Sequence, residues 1–161
     1  MDDAQRQPRA SVERAVCAHE RALVGYVAHL LGSAEPARDV VQEAFARLCE
    51  QTRDVPLPEW LFAVCRNLAI DRLRRDRRTR ERPMSTIEIE ATPDDSLARA
   101  DEHGRAVALL ATLPPRQQEA IRLRFQGDLS YAQIAGVMRT SENNVAVLIH
   151  LGLRRLREQM Q

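Results

Sequence analysis

Apolar positions recur along most of this chain at the three- and four-residue spacing of an amphipathic helix. From Val12 to Leu31 they fall at 12, 16, 23, 24, 27, 30 and 31, which predicts one long helix. Gly32-Ser33 ends it, and Ser33 is placed to cap the next helix, with Pro36 tolerated in its first turn. That helix, Ala34 to about Gln51, sets Val40, Val41, Ala44, Phe45 and Leu48 on one face. Asp39, Gln42, Glu43, Ala46 and Arg47 lie toward the other side. Pro56 and Pro58 cannot sit inside a helix, so residues 52–58 form a loop. A third helix runs from about Pro58-Glu59 to about Arg82 over a buried stripe of Leu61, Val64, Cys65, Leu68, Ala69 and Leu73. Trp60 opens this stripe and is expected to pack against it or the loop.

Pro83 stops the third helix, and residues 83–95 have neither helical period nor core density. They form a linker between a first module, 11–82, and a second, 96–161. The second module breaks at Leu113-Pro114-Pro115 and continues as short helices over 116–126, 130–138 and 141–159. Ser130 and Gln133 have the spacing of a capping box, and Ser141 is the N-cap of the last helix. Strands are absent from this reading, and the fold class is all-α: two small helical modules joined by a flexible linker.

Composition narrows the function. Aromatics make up only 4% of the 161 residues, so the core must rest on Leu, Val, Ile and Ala. The net charge of +1 hides an uneven distribution, and every basic residue is arginine. Residues 66–82 carry eight arginines against three acids, whereas residues 83–104 carry one against six. Residues 105–161 are basic again, with eight arginines against four acids. Clustered arginine offers planar, bidentate contacts to phosphates and guanine edges, so two basic modules around an acidic stretch point to nucleic acid. No apolar run approaches the roughly 20 residues of a membrane span. The polar Met1–Ala10 segment excludes a signal peptide, and a cytoplasmic protein without membrane insertion is expected. Cys17, Cys49 and Cys65 have no CxxC spacing and are expected to be small buried thiols. His19, His29, His103 and His150 are scattered, so neither a metal nor another cofactor is implied. No nucleophile–base pair or phosphate loop is visible, so the chain is not read as an enzyme.

Ser130-YAQIAGVM-RTS-ENNVAVLIHLGLRRL has helix-turn-helix spacing, with Ile134, Ala135, Met138, Val145 and Ile149 placed to lock two helices together. The order of elements is more specific. Asp39-VVQEAFARL48, then Trp60-LFAVCRNLAIDRLRRDRR78, then Leu113-PPRQQEAIRLRF125 with Leu129-SYAQIA135 resembles the extracytoplasmic-function sigma factors of the sigma-70 family. The three stretches correspond to that family's regions 2.2, 2.3–2.4 and 4, and the resemblance covers about residues 15–160.

The resemblance implies an alternative sigma factor, in which region 2 and region 4 bind the −10 and −35 elements of promoter DNA. Asp39, Gln42, Glu43 and Arg47 would dock on bacterial core RNA polymerase. Arg66, Asn67, Asp71, Arg74, Arg75, Arg77 and Arg78, with loop 52–58, would bind and open the −10 element. Phosphate contacts suit an arginine-rich helix, and Asp71 could equally serve as partner to a neighbouring arginine. For the −35 element the candidates are Ser141, Asn143, Asn144, His150, Arg154 and Arg155. The family's recognition helix usually carries basic or small polar residues where this chain has Ala146, Val147, Leu148, Leu151 and Leu153. Such a helix either exposes an apolar patch that meets protein, an anti-sigma factor being the expected partner, or packs these leucines against the helix at 96–111 or the linker. A sigma-like regulator whose region 4 mainly binds protein is therefore the alternative function.

Overall fold

The computed structural model describes residues 3–51, 53–79 and 100–161, all helical or in the turns between helices. Seven helices are present among them. The chain divides into two compact units, Met1–Ala91 and Thr92–Gln161. The linker 83–95, the last turn expected for the third helix and the start of the second module at 96 lie outside the described residues.

The first unit consists of α1 (Asp3–Leu31), α2 (Ala34–Glu50) and α3 (Glu59–Thr79). α1 begins nine residues before the apolar periodicity does and carries Pro8 in its second turn, where one backbone hydrogen bond is lost. At its other end Gly32 takes φ +74°, a left-handed conformation that reverses the chain at little cost in glycine. α1 and α2 then pack as a hairpin, and α3 lies against both. Leu23, Tyr26 and Val27 of α1 meet Val41 and Ala44 of α2 and Leu61, Phe62 and Cys65 of α3 in the core. Tyr26 and Phe62 join edge to face, ring centroids 5.5 Å apart. Ser33 has the extended backbone of an N-cap, but its hydroxyl accepts no capping hydrogen bond. Trp60 is half-buried, and its backbone N–H donates to Pro56 O at 2.9 Å, tying loop to helix.

The expectation of three buried thiols is corrected. Cys65 is buried, but Cys17 and Cys49 are exposed. Both lie on the sides of their helices turned away from the stripes that carry Tyr26 and Ala44. Burial pushes the Cys65 thiol up to about 12.

The second unit consists of α4 (Ala100–Ala111), α5 (Pro115–Phe125), α6 (Tyr131–Met138) and α7 (Glu142–Met160). Pro115 starts α5 at a position where its missing N–H costs nothing. The Ser130–Gln133 capping box forms in both directions, with Gln133 N–H donating to Ser130 Oγ at 3.2 Å and Ser130 N–H donating to Gln133 Oε1 at 2.9 Å. α6 ends at Arg139, which takes the left-handed conformation (φ 52°, ψ 54°). Ile134, Ala135, Met138, Val145 and Ile149 are all buried where the two helices meet. α7 also packs closely on α5, and buried Gly152 makes that approach possible.

Candidate polymerase-facing and nucleic-acid-facing surfaces

In the first unit, the residues expected to meet polymerase all point outward. Asp39, Gln42, Glu43 and Arg47 occupy the exposed face of α2, because the opposite face is consumed by Val40, Val41, Ala44 and Phe45. Glu43 and Arg47, one turn apart, form an ion pair at 3.0 Å. Both side chains are about half exposed, so the pair orders the surface more than it stabilises the fold. Asp39 reaches across to Arg72 of α3 at 4.0 Å. Sequence spacing could not reveal this contact, since it depends on how the two helices pack.

Of the residues expected on promoter DNA, Asn67, Asp71, Arg74, Arg75, Arg77 and Arg78 are exposed and Arg66 is half-buried. The last two turns of α3 therefore expose four arginines, with Asp76 and Thr79 between and after them. An open groove of about 470 Å³ runs between α2 and α3, lined by Glu43, Arg47, Leu68, Asp71, Arg74, Arg75 and Arg78. The two surfaces that the sequence separates by helix thus share one groove. Leu68 belongs to the buried stripe of α3 and also borders this groove. Asp71 lines this groove among the arginines.

In the second unit the six −35 candidates separate by what already holds them. Ser141 Oγ accepts from Asn144 N–H at 3.1 Å and so caps α7. Asn144 Nδ2 donates to Thr140 Oγ1 at 2.8 Å, and Arg155 donates to Gln117 of α5 at 3.3 Å. These three act within the unit. Arg154 is exposed beside Glu158 at 3.5 Å, while Asn143 and His150 are exposed.

Of the two readings open for the apolar run of α7, an exposed patch or packing within the module, the structure shows packing. Ala146, Leu148, Leu151 and Leu153 are half-buried, and only Val147 is exposed. The reason is geometric: α4, α5 and α6 all contact α7, so more than one stripe of it is covered. Elsewhere in the unit Phe125 is exposed, and the Arg124 guanidinium sits 5.9 Å from the centroid of the Tyr131 ring.

Among the described residues no cluster of His, Cys, Asp and Glu could hold a metal ion, and no helix is long and apolar enough to cross a membrane. One helical unit with an arginine-rich helix and a second ending in a helix-turn-helix have the form of a nucleic-acid-binding protein. Comparison with known proteins makes this specific. The Sigma-70 region 2 family matches residues 16–79, and the Sigma-70 region 4 family matches residues 103–156. The chain is 34% identical over 152 residues to the ECF RNA polymerase sigma factor SigL of Mycobacterium tuberculosis, covering 89% of this chain and 85% of that protein. It is 29% identical over 142 residues to the ECF RNA polymerase sigma factor BldN of Streptomyces coelicolor, where it spans about half, 53%, of the relative's length. Two solved structures share the fold. The sigma factor RpoE, in complex with the anti-sigma factor NepR from Bartonella quintana, has a TM-score of 0.65 at 20% identity, covering 92% of this chain and 95% of that one. CnrH, in complex with the cytosolic domain of CnrY, has a TM-score of 0.63 at 22% identity, covering 97% and 94%. The chain belongs to the extracytoplasmic-function RNA polymerase sigma factors of the sigma-70 family.

Proposed function

We propose that this protein binds bacterial core RNA polymerase through the first unit and directs it to promoters carrying a −10 and a −35 element. It works in the cytoplasm by binding, without catalysis or a cofactor of its own. The observation that carries this reading is the end of α3, where Arg74, Arg75, Arg77 and Arg78 are exposed together beside the polar face of α2. Like charges this dense repel one another unless an anionic partner is near, and phosphates provide one. Asp39, Gln42, Glu43 and Arg47 are the polymerase contacts in this scheme. Arg66, Asn67, Asp71 and the four arginines take the −10 element, and 11–82 and 96–161 act as the two functional modules around the linker 83–95.

In the second unit the exposed Asn143, His150 and Arg154 are the −35 readers, with Ser141, Asn144 and Arg155 positioning the helix that carries them. Burial of the α7 leucines favours this over a region 4 devoted to protein. Regulation by an anti-sigma factor is part of the proposal, since the neighbours RpoE and CnrH are sigma factors solved with NepR and CnrY bound.

The test is charge reversal on α2. Asp39→Arg with Glu43→Arg alters two exposed positions and breaks the pairs to Arg72 and Arg47, each worth little to stability at such exposure. Co-purification with core polymerase should be lost while the circular dichroism spectrum is retained. Undiminished co-purification would reassign this face.

A further inference from the structure

The solvent face of α7 is narrow, and one apolar residue stands in its middle. Asn143, Val147, His150 and Arg154 are exposed at helical spacing i, i+4, i+7 and i+11 and share one side of the helix. Val147 is 52% exposed, whereas its apolar neighbours in the same helix are drawn toward α4, α5 and α6. An isolated exposed valine needs no explanation on an ordinary surface. Here it lies in the second turn of the second helix of a helix-turn-helix, the part that enters a major groove. Ser141, Asn144 and Arg155 are engaged within the unit, so the side chains left to read bases are few.

The floor of the major groove offers hydrogen-bonding atoms at every base pair but only one apolar group, the C5-methyl of thymine. We propose that Val147 is a specificity-determining residue that reads a thymine methyl in the −35 element. This rests on the reading of α7 as the −35 helix and adds which base chemistry its centre selects. Residues four apart rise about 6 Å along a helix, close to two base-pair steps of roughly 3.4 Å. The selected thymine therefore lies within about two base pairs of the base contacted by Asn143. Burying the one thymine methyl corresponds to roughly a threefold to fivefold gain in affinity.

The experiment uses holoenzyme assembled from the full chain and core polymerase, bound to a duplex whose −35 sequence is obtained by in vitro selection. Each −35 thymine is replaced in turn by deoxyuridine, which removes only the methyl. Wild type is compared with Val147→Ala, which leaves an exposed helix position occupied by a better helix former, and with Val147→Thr, which keeps one γ-methyl. At one position deoxyuridine should weaken wild-type binding three- to fivefold, leave Val147→Ala unaffected and affect Val147→Thr partially. Equal deoxyuridine sensitivity in wild type and Val147→Ala, or sensitivity at no thymine, overturns the proposal while −35 reading stands. Indifference to a scrambled −35 element overturns that reading as well.

Discussion

Gly152 of α7 and Ile121 of α5 meet so closely that a Cβ added to the glycine would lie 2.5 Å from Ile121 Cδ1. The next nearest atom, Gln117 Cβ, would be at 3.5 Å, an ordinary contact, so a single methyl group decides whether a side chain fits. Glycine inside a helix costs about 1 kcal/mol relative to alanine, yet overpacking a core costs about 1–3 kcal/mol. Gly152→Ala should therefore destabilise the protein by about 1 kcal/mol. Ile121→Val removes the Cδ1 atom and leaves the remainder of the side chain in place. In the double variant the alanine should become neutral or stabilising, a coupling that urea unfolding of the four proteins followed by circular dichroism would read. Additive effects would mean that the two helices adjust without contact between these groups.

Arg139 closes the turn before α7 with φ 52°, a conformation in which an L side chain crowds its own backbone. Its backbone N–H donates to Ala135 O, so the residue is held there by the end of α6. Arg139→Gly and Arg139→Ala both delete the side chain and whatever it contacts, which isolates the backbone effect. The glycine variant should be more stable than the alanine variant by about 1 kcal/mol in chemical denaturation. An alanine variant of equal stability would place little strain at this turn.

For promoter DNA the expected readout is salt dependence. Arg74, Arg75, Arg77 and Arg78 are exposed, and replacing all four by alanine removes up to four phosphate contacts. With a slope near −0.9 per neutralised phosphate, the log–log dependence of holoenzyme binding on salt should flatten by about 3–4 units. An unchanged slope would assign these arginines to solvent or protein.

The fold was legible wherever a local rule decides it. The ends of α2 and α6 fall within a residue of the sequence reading, because Gly32, Pro36, Ser130 and Gln133 act on their immediate neighbours. Ser33 shows the limit of that logic: it stands at the cap position and its hydroxyl makes no cap bond. Surfaces were less legible, because exposure depends on partners distant in the sequence. The α7 stripe of Leu148, Leu151 and Leu153 reads as an open patch until three other helices close on it. Likewise Arg72 contacts Asp39, and Arg155 is held by Gln117, across 33 and 38 residues of chain, and no periodicity within one helix encodes either contact.

Cys65 makes the fold sensitive to alkaline pH. The thiol is buried on the core face of α3 and is pushed from 9.0 up to about 12 by desolvation, which disfavours the thiolate. In the unfolded chain it loses its proton near its ordinary value, whereas in the folded protein it holds that proton until about 12. The unfolded state therefore binds fewer protons throughout that interval, and stability must fall as pH rises from about 9 to about 12. Below the unfolded value both states are protonated, and the thiol's contribution is constant. Cys65→Ala should lower stability at neutral pH, since it removes a buried sulfur, and should also flatten this alkaline slope relative to wild type. The same burial predicts that iodoacetamide labels Cys17 and Cys49 in the native protein and reaches Cys65 only after unfolding. Denaturation midpoints between pH 8 and 11 for the two proteins, with mass spectrometry of the alkylated chains, check both outcomes. Parallel pH profiles, or rapid native labelling of Cys65, would show that its site opens to water.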